Sequence, residues 1–106
     1  MDKVYGLIGL AKRAGRIACG EFLTTGAIKE NSAQLVILAS DASFNTKKKI
    51  TDSCKFYNVC LVEYGTKDEH GRYTGGADRA VVTIKDKGFA DAILKIVEQV
   101  KERNGE

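Results

Sequence analysis

The apolar run L-V-I-L-A at residues 35–39 places the strongest constraint on the fold of this 106-residue chain. The run lacks the polar alternation of a half-buried strand and is rich in branched aliphatic residues, so it predicts a strand covered on both faces. The small residues S-D-A-S at 40–43 then form a turn, and Ser43 or Asn45 can cap the helix that follows. The segment therefore predicts a strand–turn–helix unit of an α/β protein, in which ligands bind beyond the carboxyl ends of the strands.

Three consecutive lysines, Lys47, Lys48 and Lys49, lie in the first turns of that helix. Positive charge at a helix N-terminus opposes the helix macrodipole, so local helix stability does not explain it. Free backbone N–H groups at the same end attract anions, phosphate especially. Because consecutive residues fan around a helix at about 100° each, the three lysines cannot all face one ligand. They indicate either phosphate contact or exposed solubilising charge.

Helical and strand patterns alternate along the rest of the chain, with Asp2, Gly20, Thr66 and Asp86 at predicted helix starts. The predicted strands are residues 16–19, 60–62 and 80–84. The third helix has a predicted inward stripe of Ile50, Cys54 and Tyr57, and the second has apolar positions at Phe22, Leu23, Ala27 and Ile28. These patterns predict one domain over residues 1–106, folded as a three-layer α/β/α sandwich with a short mixed four-stranded sheet.

A glycine inside the second predicted helix, Gly26, costs about 1 kcal/mol relative to alanine. It marks either close packing or the approach of a ligand.

The charge and cysteine content restrict the class of protein. Residues 1–55 carry nine Lys/Arg against five Asp/Glu, whereas residues 56–106 carry eight against nine. This basic half indicates either a surface for a polyanion or a solvated face. Cys19, Cys54 and Cys60 are odd in number and lack C-x-x-C spacing, so we expect buried thiols of a reducing compartment and no metal site. Since the chain has neither a signal-peptide pattern nor an apolar run of about 20 residues, we expect a cytoplasmic protein without membrane contact.

No constellation of catalytic residues is evident. His70 is the only histidine and lies in the polar segment 67–70, which favours an exposed side chain over a general base. Asp41 follows the central strand, where a turn-forming role is favoured over a catalytic one. The glycines at 71, 75 and 76 lack the context of a phosphate-binding loop. We therefore expect a non-enzymatic protein without a cofactor, and structured RNA is the polyanion that suits an ordered α/β domain.

Several stretches taken in order carry a resemblance to a known family. They are G-L-A-K-R-A-G at 9–15, G-E at 20–21, residues 35–43, N-T at 45–46 with K-K-I at 48–50, Y-N-V at 57–59, and Asp86 with G-F-A at 88–90. The sequence resembles the kink-turn RNA-binding ribosomal family that includes large-subunit proteins seven-Ae and thirty-e, and it is most similar to the bacterial YlxQ-type branch.

The resemblance implies a three-layer α/β/α fold and a non-catalytic, monomeric protein that binds structured, kink-turn-like RNA, possibly ribosomal RNA. It implies three RNA-contacting segments, which correspond to Gly20, Glu21, Thr24 and Thr25, then to Ser40 and Asp41, and then to Arg79, Val81 and Val82. In this hypothesis the lysines at 47–49 and Arg79 neutralise backbone phosphates, with Lys47 and Lys48 as the principal lysines, while Val81 and Val82 offer an apolar platform to an extruded base.

The sequence departs from the family pattern in the second helix. Phe22 and Leu23 replace polar residues that read bases, and Gly26 replaces a lysine. The alternative hypothesis is therefore a protein-interaction module that has kept the fold and lost kink-turn recognition, favoured if Phe22 and Leu23 are exposed.

Overall fold

The computed structural model describes residues 2–103, in which strands and helices alternate along the chain. Its elements are α1 (Lys3–Arg13), β1 (Ile17–Cys19), α2 (Glu21–Lys29), β2 (Leu35–Leu38), α3 (Phe44–Tyr57), β3 (Leu61–Glu63), α4 (Lys67–Thr74), β4 (Val81–Ile84) and α5 (Lys87–Arg103). Each element predicted from the sequence is present.

The four strands form one sheet in the order β1-β4-β2-β3. β2 pairs in parallel with β3 and antiparallel with β4, and β4 pairs antiparallel with β1, so the sheet is mixed as predicted. All four residues of β2 are buried, which confirms that the apolar run of residues 35–38 is covered on both faces.

Helices cover both faces of the sheet. Leu35 and Ile37 face a core that contains residues of α1 and α5, whereas Val36 and Leu38 face a second core formed with α2 and α3. Side chains alternate between the faces of a strand, and β2 thus contributes to both cores. This arrangement confirms the three-layer α/β/α sandwich.

Polar side chains begin the helices at the expected residues. The Asp2 carboxylate accepts hydrogen bonds from the backbone N–H groups of Val4 and Tyr5 at 2.8 and 3.2 Å. Ser43 and Thr66 likewise accept from the N–H groups three residues on, and Asp86 accepts from that of Phe89. These caps satisfy N–H groups that have no partner within a helix, so the sequence fixes where the helices start.

The inward stripe predicted for α3 is wrong at Tyr57, and two apolar positions of α2, whose exposure the sequence leaves open, lie outside the core face of that helix. Phe22 and Leu23 are 87% and 55% exposed, and Tyr57 is 40% exposed. The core face of α2 consists of Thr24, Ala27 and Ile28. Because these residues recur at i, i+3 and i+4, they share the face of the helix that packs on the sheet. Phe22 and Leu23 lie outside this face. One of the three buried residues is a threonine, so the apolar positions of the sequence do not by themselves identify the buried face of α2.

The three cysteines are free thiols in different environments. Cys54 is buried, Cys19 is half-buried and Cys60 is exposed. Burial raises the pKa of the Cys54 thiol to about 11. The prediction of a buried cysteine is therefore right for Cys54 and wrong for Cys60, which precedes β3 at the edge of the sheet. Within residues 2–103, no helix has both the length and the apolar content needed to cross a membrane.

Candidate nucleic-acid interface

One edge of the sheet gathers the segments that the sequence selects for binding. Cys19 at the end of β1 lies opposite Val82, and Leu38 at the end of β2 lies opposite Glu63 and Val81. Three strands therefore end, and β4 begins, at the same edge. We call this the loop edge, and it comprises residues 20, 39–43, 64–66 and 75–80.

Arg79 lies at the loop edge between two glycines. A Cβ atom at Gly20 would lie 3.8 Å from Nη1 of Arg79, and one at Gly76 would lie 2.8 Å from Nη2. The Arg79 backbone N–H donates to the carbonyl oxygen of Lys67 at 3.0 Å. Its buried Nε has no hydrogen-bond partner, and no carboxylate of the described residues lies within 4 Å of its guanidinium. The guanidinium is thus positioned to bind an anion.

The conformation of Gly20 opens the start of α2. Its φ angle is +88°, a backbone conformation that residues with a side chain rarely adopt. Its N–H donates to the carbonyl oxygen of Val81 at 2.9 Å. Gly20 supplies no side-chain cap to α2. The first N–H groups of this helix therefore lack a side-chain cap at a helix start that adjoins the Arg79 guanidinium, where the helix dipole favours negative charge.

Glu21 connects the starts of α2 and α3. Its carboxylate lies 3.1 Å from Nζ of Lys49 and accepts a 3.4 Å hydrogen bond from the Thr46 hydroxyl. The Thr25 hydroxyl donates to the backbone carbonyl of Glu21 at 2.9 Å. Glu21 and Thr25 are half-buried, so both remain partly accessible beside the loop edge. Lys49 is one of the three consecutive lysines that the sequence offers for phosphate contact. Its pairing with Glu21, 28 residues away along the chain, is not predictable from i, i+4 spacing.

Thr24 cannot contact a ligand in this structure. It is fully buried, and its hydroxyl accepts a 2.8 Å hydrogen bond from the Thr83 hydroxyl of β4. The expectation that Thr24 contacts RNA is therefore wrong. The residue fixes α2 on the sheet because a buried hydroxyl without a partner would cost free energy.

Ser40 and Asp41 hold neighbouring loops together. The N–H and hydroxyl groups of Ser40 both donate to the carbonyl oxygen of Gly65, at 2.7 and 2.8 Å. The Asp41 carboxylate accepts from the backbone N–H of Lys67 at 2.8 Å, at the start of α4. Both residues are exposed, and their structural bonds leave carboxylate and hydroxyl atoms at the surface of the loop edge.

The three consecutive lysines point in different directions, as the helical geometry predicts. Lys47 donates to the carbonyl oxygen of Ser40 at 2.7 Å and lies 3.3 Å from Glu63, so it braces the loop edge. Lys48 pairs with Asp52 at 3.1 Å along α3, and its side chain is 65% exposed. Since exposed ion pairs contribute at most about 1 kcal/mol, Lys48 and Lys49 can exchange their partners for phosphate at little cost.

The expected apolar platform of Val81 and Val82 is absent from the surface. Both side chains are fully buried, Val81 in the core with α2 and α3 and Val82 in the core with α1 and α5. The prediction is wrong because β4 is an inner strand, covered on both faces. Only its preceding loop, with Arg79, reaches the loop edge.

An exposed apolar surface lies instead on α2. Phe22, Leu23 and Gly26 line a groove of about 840 Å³ that follows the helix between β1 and the side of α3. Three lysines and two glutamates also line the groove, namely Lys29, Lys49, Lys85, Glu21 and Glu30. We call it the α2 groove.

His70 is fully buried, contrary to the exposed position predicted for it. Its Nε2 lies 2.8 Å from the carbonyl oxygen of Tyr64, and its ring contacts Tyr5 with centroids 5.8 Å apart. Burial lowers the pKa of the imidazole, and the Tyr64 carbonyl and the Glu69 and Asp41 carboxylates oppose this shift without reversing it. His70 faces inwards from the short helix α4 and supports the loop edge from beneath, so its role is structural.

Comparison with known proteins identifies the family of this chain. The family model of the ribosomal protein L7Ae/L30e/S12e/Gadd45 family matches residues 2–94. The RNA-binding protein YlxQ of Bacillus subtilis (strain 168) is 38% identical over 94 residues, 89% of this chain and 94% of that protein. The RNA-binding protein YlxQ of Enterococcus faecium is 41% identical over 97 residues, 92% of this chain and 93% of that protein.

Solved structures share the fold. A protein of unknown function from Bacillus halodurans C superposes with a TM-score of 0.88 at 35% identity, over 92% of this chain and 99% of that one. The Giardia lamblia 15.5kD RNA binding protein superposes with a TM-score of 0.77 at 20% identity, over 96% and 91% of the two chains. On the family match and the identity to two YlxQ proteins, this chain belongs to the ribosomal protein L7Ae/L30e/S12e/Gadd45 family, in its YlxQ-type branch.

Proposed function

We propose that this chain binds structured RNA at the loop edge and the start of α2, without catalysis. The observation that carries the proposal is the Arg79 guanidinium, which lies beside the uncapped N-terminus of α2 with no carboxylate partner among the described residues. Two relatives above 35% identity are named RNA-binding proteins, which supports the choice of RNA as the anion.

The proposed contacts divide between phosphate binding and support of the loops. Arg79, Lys48 and Lys49 bind phosphates, and Gly20 lets the RNA backbone approach the N–H groups of α2. Glu21, Thr25, Ser40, Asp41 and Lys47 shape the surface that receives the RNA. Four of these five residues already make a hydrogen bond that joins two segments of the chain, and the fifth, Thr25, bonds to Glu21 within α2.

The proposed RNA is sharply bent, of the kink-turn type, and ribosomal RNA is the candidate source. A bent duplex suits this surface because its contact groups lie on two helix starts and two loops that meet at one edge of the sheet. The proposal includes a monomeric, cytoplasmic protein.

Titration against a kink-turn RNA and a straight duplex of equal length, at several salt concentrations, tests the proposal. Tighter binding of the bent RNA is expected, with an affinity that falls as salt rises, by up to about 0.9 in the logarithmic slope per phosphate contact. Equally weak binding of both RNAs would contradict the specific claim.

A protein-interaction module is the second candidate function. The exposure of Phe22 and Leu23 favours it, since an exposed apolar patch on a helix often marks a protein contact. In that case, Phe22→Ala would abolish capture of a protein partner and leave RNA affinity unchanged.

A further inference from the structure

We infer that Phe22 is a stacking platform for an unpaired nucleobase, which the α2 groove receives beside the loop edge. This inference rests on the proposed function, and it names the part of a structured RNA that the outer face of α2 contacts. The ligand is a base outside Watson–Crick pairing, recognised by its aromatic face.

The exposure of Phe22 is the first observation. Its side chain is 87% exposed, and Leu23 beside it is 55% exposed. The core does not need the Phe22 side chain, because Thr24, Ala27 and Ile28 already fill the core face of α2. A phenylalanine held in water at the second position of a helix is a ready surface for stacking.

Gly26 is the second observation. It lies one helical turn after Phe22, and a Cβ atom built on it would meet nothing within 4 Å. Packing within the chain therefore does not require glycine, although glycine disfavours a helix. The missing side chain leaves the space beside the Phe22 ring open, as the approach of a flat base requires.

The charges around the groove suit a nucleotide. Lys29, Lys49 and Lys85 line it, against the two carboxylates of Glu21 and Glu30, and Glu21 is already paired with Lys49. A groove lined by both apolar residues and lysines can bind a base through the apolar residues and the adjoining phosphates through the lysines. Its volume of about 840 Å³ lies within the range of ligand sites.

The position of Phe22 completes the argument. A bent RNA exposes unstacked bases that need an apolar contact. Val81 and Val82 cannot supply it because both are buried. Phe22 lies two residues after Gly20, whose Cβ position is 3.8 Å from the Arg79 guanidinium, so the platform belongs to the first turn of the helix whose N-terminus binds phosphate in the proposed function.

A double-mutant cycle between Phe22 and one RNA base tests the inference. Wild-type protein and Phe22→Ala are each titrated with a kink-turn RNA and with the same RNA made abasic at one unpaired position, tested position by position. Stacking predicts that Phe22→Ala weakens binding of the intact RNA by about fivefold to 150-fold, and that removal of the stacked base causes no further loss in this variant. Phe56→Ala is the matched control, because Phe56 is 81% exposed at the far end of α3.

A fluorescence measurement gives an independent readout. The chain contains no tryptophan, so Phe22→Trp introduces a single indole at the platform and Phe56→Trp introduces one at the control position. Quenching of the first indole by intact RNA, lost with the abasic RNA and absent from the second, supports stacking.

The outcomes separate the inference from the proposed function. Stacking is overturned if Phe22→Ala binds intact RNA as tightly as wild type. It is also overturned if the affinity lost in Phe22→Ala and the affinity lost on removal of a base are additive at every position tested. In both cases salt-dependent RNA binding stands. If wild type shows no salt-dependent binding to any RNA, the proposed function fails first. If Phe22→Ala alters only association with a protein or with a second copy, measured by sedimentation, the surface binds protein and the inference is overturned.

Discussion

At the scale of single residues, position in the fold decides which charged and polar side chains can act. Arg79 and Lys48 reach the surface of one edge, whereas Thr24 and His70 are buried and satisfy structural contacts. Of these four residues, only Arg79 and Lys48 are placed to bind phosphate. Two predictions follow from particular side chains.

Replacement of Arg79 by glutamine is expected to weaken RNA binding by about five- to 100-fold at low salt, because charged hydrogen bonds to phosphate are lost. The logarithmic salt slope should become less steep by up to about 0.9. Electrophoretic or fluorescence titrations measure both quantities. Lys87→Gln is the matched control because α5 begins at the opposite edge of the sheet, and an equal loss in this variant would contradict a local role for Arg79.

Acidification is expected to destabilise the protein through His70. Burial lowers the pKa of His70 in the folded state below the 6.5 of an exposed histidine, so the unfolded chain binds the proton more readily. The stability is therefore fully present above about pH 6.5 and declines as pH falls towards the folded-state pKa.

Urea midpoints of wild type and His70→Gln between pH 7.5 and 5 measure this effect. The wild type should lose more stability on acidification than the variant, whose amide does not titrate. Parallel pH profiles would show that His70 does not cause the change.

At the scale of elements, two helical glycines have opposite roles. A Cβ atom at Gly26 of α2 meets nothing within 4 Å, whereas one at Gly71 of α4 would overlap the carbonyl oxygen of Ala77. Gly71 thus lets the loop before β4, which carries Arg79, lie against α4. Gly26 has no such packing role.

Gly26→Ala is therefore expected to raise the free energy of unfolding by about 1 kcal/mol, and Gly71→Ala to lower it by about 1–3 kcal/mol. Urea unfolding of the two variants, compared with wild type, gives both values. A loss of stability in Gly26→Ala would mean that α2 packs differently, and a neutral Gly71→Ala would mean that the loop before β4 moves freely from α4.

At the scale of the whole molecule, one sheet joins two cores. β2 places Ile37 in the core with α1 and α5 and Val36 in the core with α2 and α3. If β2 detached from one core, its residues in the other core would also become exposed to water. We expect the domain to unfold in a single cooperative transition.

Ile37→Ala and Ile28→Ala probe one core each, since both residues are fully buried. Each is expected to cost about 2–5 kcal/mol and to shift the whole transition. Far-UV circular dichroism follows all helices, and near-UV dichroism of the tyrosines follows Tyr5, Tyr64 and Tyr73 in or against the first core. Transitions that separate in the two signals would show that the cores unfold independently.

The sequence by itself determined the elements and their order. Local signals have local causes: Asp2, Ser43, Thr66 and Asp86 cap helices through N–H groups within three residues, and the run at 35–38 is apolar because both faces of β2 are covered. Such contacts lie within a few residues along the chain, so patterns in the sequence record them. The alternation of strands and helices extended this to the layers of the fold, and the family resemblance implied the same architecture.

Only the tertiary structure decided which side chains reach the surface. The phase of α2 follows from the bond between Thr24 and Thr83, which are 59 residues apart, and it exposes Phe22. Val81 and Val82 are buried because β4 lies between β1 and β2, and His70 is buried because α4 packs against Tyr5. These outcomes depend on contacts between distant segments, and burial is a property of the assembled layers that no local pattern contains.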